Sequence, residues 1–131
     1  MSWSYIFKLA ISISIAQMAI GFLDGFFAPS SSGLSWTLGS HAVSLSLCGA
    51  IFVFFAFHQP FKPFLHAWIS LPVGQLAGLA LLLPVHLALF GTANWPLQVI
   101  VVDLLVVVCA LIVGTLIGIG LRTRLASQPD A

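Results

Sequence analysis

The sequence predicts an all-α integral membrane protein with four transmembrane helices in an up-down bundle. Three observations carry that expectation. Only seven of the 131 residues are charged, four basic and three acidic, where a soluble chain carries about a quarter. Neither the stretch from Asp24 to Lys62 nor the one from Lys62 to Asp103 contains an internal Asp, Glu, Lys or Arg. Hydrophobic residues make up 60% of the chain, and the mean hydropathy is +1.15. The apolar runs are continuous, which argues against a β-barrel, whose strands alternate over about ten residues.

A hydrocarbon core of about 30 Å needs roughly 20 apolar residues per helix. Four segments of that kind fill a single transmembrane domain, 1–131. The first runs over residues 5–27 and ends in the polar breaker cluster Ala28-Pro29-Ser30-Ser31-Ser32-Gly33. Lys8 ahead of an apolar run is also how a secretory signal begins, but no A-x-A-like site lies near Ala28, so this helix is expected to stay in place. The second segment, 40–57, is stopped by His58-Gln59-Pro60-Phe61-Lys62-Pro63-Phe64. Its two prolines cannot continue a helix, and its phenylalanines are expected to lie in the interface. The third runs over 71–90, with Ser70 before Pro72 as a helix start. Pro84 inside it removes a backbone hydrogen bond and predicts a kink. The fourth, 96–121, follows Asn94 and Pro96 in the same arrangement. Cys48 and Cys109 fall within helices and read as small apolar residues. Neither a disulfide nor a zinc site is expected.

Charge and aromatic position set an expected topology. Lys8, Lys62, Arg122 and Arg124 lie before the first span, between the second and third, and after the fourth. The other two loops carry no Lys or Arg. Cytoplasmic loops retain positive charge, so both termini and the second loop are expected inside. Trp3 and Trp68 then fall at inner helix ends, and Trp36 and Trp95 at outer ends, where indole rings prefer the headgroup layer.

Four ionisable residues inside the spans need an explanation: Asp24, His41, His86 and Asp103. At ~1.5 Å per residue they lie roughly 0–10 Å from the outer surface. An ionised Asp at the bilayer centre costs about 2.5–3.5 kcal/mol, so such groups are rarely left facing lipid. Helical spacing puts Gln17, Gly21 and Asp24 on one face, with Ser14 beside it, and His41, Ser44 and Cys48 on another. Gln75 and His86 share a third face, and Asp103, Ala110 and Gly114 a fourth. With those faces inward, a bundle would gather Asp24, His41, His86, Asp103, Gln17 and Gln75 into an outward-facing polar pocket. An imidazole beside a carboxylate is suited to relaying protons. The alternative reading is that these groups satisfy one another and fix helix register. Small residues recur at four-residue spacing in Gly21 and Gly25, in Gly74 and Gly78, and in Ala110, Gly114 and Gly118. Such spacing lets helices approach closely, first within the chain and second toward a partner.

Among function classes, nucleic-acid binding is excluded by four basic residues spread over separate segments. No catalytic or phosphate-binding motif is present and the chain has no Glu, so no enzyme activity, cofactor or metal is expected. The first expectation is a non-enzymatic accessory or scaffold subunit acting through helix packing. Its partners would be the lipid bilayer and either further copies of itself or a larger membrane complex. The second is a small-solute or ion transporter or channel subunit using the Asp/His pocket. A lesser third is a haem- or quinone-linked anchor with His41 and His86 as axial ligands. The expected location is the cell membrane, of bacterial inner-membrane type.

Overall fold

The computed structural model describes residues 3–27, 33–59, 61–91 and 97–127. Within these, Gly25, Val85, His86, Leu89, Phe90 and residues 97–99 are described by their backbone alone. The described residues form four α-helices: α1 (Trp3–Phe27), α2 (Leu34–His58), α3 (Pro63–Phe90) and α4 (Leu97–Ala126). All four are long and apolar enough to cross a membrane, over Trp3–Asp24, Leu34–His58, Pro63–Pro84 and Ile100–Ala126.

The helices run further than the apolar segments do. Helix α2 begins at Leu34 rather than residue 40, with Gly33 in extended conformation at its N-cap and the Trp36 amide donating to the Gly33 carbonyl. Helix α3 begins at Pro63 rather than residue 71. The physical reason is local. Proline is pre-set for the first helical position and needs no hydrogen bond there, and Lys62 turns the chain through the left-handed region at φ 45°. Pro63 and Phe64 therefore open the helix instead of prolonging a loop, and Pro72 lies in its interior rather than its first turn. Helix α3 continues through both Pro72 and Pro84 and stops at Gly91. Gly91 adopts φ 67°, and its amide returns to the Leu87 carbonyl in the glycine cap that satisfies a terminal acceptor. Two of the expected helix-boundary features, Ala28 to Ser32 and Asn94 to Pro96, lie outside the described residues.

Consecutive helices run antiparallel, and the two most extensive interfaces join parallel ones. Helix α2 packs chiefly on α4, and α1 chiefly on α3, while α1 and α2 join the two pairs. Helix α3 meets α4 and α2 only lightly, and α1 does not meet α4 among the described residues. Around the bundle the order is thus α1, α2, α4, α3. Glycines create the α2–α4 seam. A Cβ on Gly114 would stand 2.6 Å from the Gly49 carbonyl oxygen, and one on Gly118 would stand 2.6 Å from that of Val53. Removing side chains there lets the backbones touch and gain van der Waals contact, the main source of helix adhesion where solvent is itself apolar.

One core joins all four helices: Leu9 and Ile13, Cys48 and Phe52, Ala67 and Leu71, and Val107, Ala110 and Leu111. It occupies one half of the bundle only. Every described residue classed as buried falls within 6–16 on α1, 48–56 on α2, 66–74 on α3 or 107–118 on α4. The half holding the end of α1 and the starts of α2 and α4 has none.

Candidate polar site at the open end of the bundle

The two ends of the bundle differ in charge. Lys8, Lys62, Arg122 and Arg124 lie toward the end where the core is packed, and Asp24 and Asp103 toward the open end. The third carboxylate, Asp130, lies outside the described residues.

Three helices contribute to a polar cluster at the open end. Asp24 is three residues from the end of α1, His41 seven residues into α2 and Asp103 six residues into α4. At ~1.5 Å per residue this puts them about 5–10 Å from that end. The short α1–α2 connection and their antiparallel packing bring Asp24 opposite the first turns of α2, where the Ser40 hydroxyl donates to Asp24 Oδ2. The next residue on α2, His41, reaches the other way. Its Nδ1 stands 3.5 Å from Asp103 Oδ1 on α4. Ser40 and His41 thus bridge two carboxylates from different helices through adjacent positions of one helix. At 3.5 Å the His41–Asp103 contact is an ion pair only when the imidazole is protonated, and it is too long for a strong hydrogen bond. Asp103 is 55% exposed and His41 26% exposed, so this group is open on the α4 side.

The remaining sequence candidates fall elsewhere. Gln17 and Gln75 meet each other across the α1–α3 interface, with Gln75 Nε2 donating to Gln17 Oε1 at 3.2 Å. Seven residues, or about 10 Å of helix, separate Gln17 from Asp24. The five of these residues with described side chains therefore form two groups, Asp24, His41 and Asp103 in one and Gln17 and Gln75 in the other, and the side chain of His86 lies outside those described. Ser14, beside Gln17 on α1, donates to the Gly74 carbonyl of α3 at 3.0 Å. The α1–α3 seam is thus polar where the α2–α4 seam is glycine-lined. Among the other small residues, Gly74 abuts Ala10 and Ser14 of α1, and Ala110 is buried in the core. Gly21 and Gly78 face open space, and the surroundings of Gly25 lie outside those described.

Ser40 is the site residue that the sequence reading does not single out. Its only signal is position: it neighbours His41 and follows Asp24 by sixteen residues on the next helix. At the opposite end, side chains tie the helices to one another through backbone carbonyls. The Tyr5 hydroxyl donates to the Phe55 carbonyl, and Arg122 Nη1 donates to the Gln59 carbonyl at 2.5 Å. His66 Nδ1 lies 2.9 Å from the Lys62 carbonyl and its ring meets Tyr5 edge-on. A small cavity of about 10 Å³ is lined there by Tyr5, Phe52, Phe55 and Thr115 among others.

No group of three or more His, Cys, Asp or Glu side chains suited to a metal occurs among the described residues. Compared with known protein families, with curated proteins and with solved structures, the chain matches none. Its own geometry therefore carries the functional argument.

Proposed function

We propose that this chain is a multi-pass protein of the cell membrane, of bacterial inner-membrane type, that serves without catalysis as an accessory or scaffold subunit through helix packing. Both termini and the α2–α3 turn are cytoplasmic in this reading. The support is the gathering of Lys8, Lys62, Arg122 and Arg124 toward one end of the bundle, since positive charge is retained on the cytoplasmic side.

The observation that carries the subunit role is the confinement of the core to one half of the bundle. In the other half, exposed apolar residues such as Phe22, Leu38, Leu81 and Leu105 surround the helices. Exposed apolar surface alone is what lipid requires. Asp103 is different, because a carboxylate open to hydrocarbon is costly. A second subunit seated on α4 beside His41 would cover it.

The test is a photo-crosslinking residue at Ile100, one turn before Asp103 and exposed on α4, activated in intact membranes. The expected outcome is a discrete protein adduct, either a second copy or one other subunit. Adducts with lipid alone would overturn the proposal.

A second reading is a small-solute or ion transporter or channel subunit. The convergence of Asp24, Ser40, His41 and Asp103 from three helices favours it. Proteoliposomes containing the chain would then show a pH or ion flux that Asp103→Asn removes. A haem-linked anchor would need His86 beside His41 as the second axial ligand.

A further inference from the structure

We infer that the basic end of the bundle is a binding surface for anionic glycerophospholipid headgroups, centred on Lys62, Arg122 and Arg124. The inference rests on the reading of the chain as membrane-embedded and goes beyond its role as a subunit. Three features of that end meet the requirements of such a ligand.

The first is charge. All four Lys and Arg residues lie toward this end, and no carboxylate accompanies them among the described residues. Lys8, Lys62 and Arg124 are exposed.

The second is placement. Arg122 is partly buried, and its Nη1 bond to the Gln59 carbonyl fixes the last turns of α4 against the α2–α3 turn. Lys62 follows Gln59 by three residues in that same turn. A guanidinium carries five N–H donors, so one bond to Gln59 leaves this group able to meet a phosphate while anchored.

The third is an apolar neighbour at the right place. Phe61, directly before Lys62, is 77% exposed. A phenyl ring that open, next to an ammonium, matches the boundary where acyl chains meet phosphates. Trp3 and Trp68, both exposed near the same end, match the headgroup layer. One phosphodiester would lie against Lys62 and Arg122 with its acyl chains beside Phe61, and Arg124, two residues on and turned to the other side of α4, would meet a second headgroup.

The experiment uses the full chain in nanodiscs of phosphatidylcholine alone or of phosphatidylcholine mixed with phosphatidylglycerol. Thermal midpoint and the lipid adducts retained in native mass spectrometry are read for wild type, Lys62→Gln, Arg124→Gln and the double variant. Expected are a higher midpoint with phosphatidylglycerol, retained phosphatidylglycerol adducts, and about fivefold weaker retention for each cation removed. Lys62 and Arg124 are chosen because their side chains are exposed, so both variants keep the fold. Thr37→Ala, exposed on α2 at the opposite end, should keep the full effect. Equal midpoints in the two lipids, or full retention by the double variant, would overturn the inference while leaving the membrane reading standing. A chain released from native membranes by alkaline carbonate would instead sink the membrane reading itself.

Discussion

Gly114 and Gly120 are chemically identical and only six positions apart, yet they do opposite things. A Cβ at Gly114 meets the Gly49 carbonyl oxygen at 2.6 Å and Phe52 Cβ at 2.8 Å, whereas one at Gly120 meets nothing within 4 Å. Backbone cannot step aside as a flexible side chain can. Gly114→Ala should therefore destabilise the bundle by about 1–3 kcal/mol, the usual cost of overpacking. Gly120→Ala should be neutral or stabilising by up to about 1 kcal/mol, because alanine restricts the unfolded chain and favours helix. Unfolding both variants in the same detergent decides the matter; equal midpoints would mean the α2–α4 seam is not closely packed. The spacing of Gly114 and Gly118 is plain in the sequence, and so is that of Gly21 and Gly25. Spacing alone does not tell which glycine meets a neighbour, because that depends on which way each helix is turned. Ser40 was hidden for a related reason: a lone serine acquires meaning only when Asp24 is brought opposite it.

At the scale of the elements, the two parallel pairs adhere by different means. Helices α2 and α4 touch through glycine-lined backbone, whereas α1 and α3 add to the Gly74–Ala10 approach side-chain hydrogen bonds from Ser14 and between Gln17 and Gln75. Interhelical hydrogen bonds in membranes average about 0.6 kcal/mol, because the separated helices also find partners. A double-mutant cycle with Gln17→Ala and Gln75→Ala should give a coupling energy near that value. A coupling indistinguishable from zero would show that the amide contact contributes nothing to the α1–α3 seam. Helix number and approximate position could be read from the sequence, since about 20 apolar residues mark each crossing. The starts of α2 and α3 could not. Hydropathy reports the apolar slab, whereas a helix continues beyond it until a local signal such as Gly33 or the Lys62-Pro63 turn stops it.

For the whole molecule, the antiparallel succession of helices returns the end of α4 to the side where α1 begins. The contacts of Tyr5 with Phe55 and of Arg122 with Gln59 fix that arrangement. Single cysteines introduced at Ser4 and Ser127, in a background lacking Cys48 and Cys109, should react with an impermeant maleimide from the same side of sealed vesicles. Labelling from opposite sides would contradict the four-span arrangement. The sequence by itself determined that the chain carries four segments long and apolar enough to cross a membrane, because that is a sum over local composition. It also marked Asp24, His41 and Asp103 as groups needing partners. Only the tertiary structure decided that α2 lies on α4 rather than equally on α1 and α3, that Gln17 and Gln75 form a pair apart from the carboxylates, and that the core fills one half of the bundle. Those outcomes depend on the rotation of each helix about its axis. Where most side chains are apolar, that rotation is set by the fit of one surface against another and leaves no strong periodic signal along the chain.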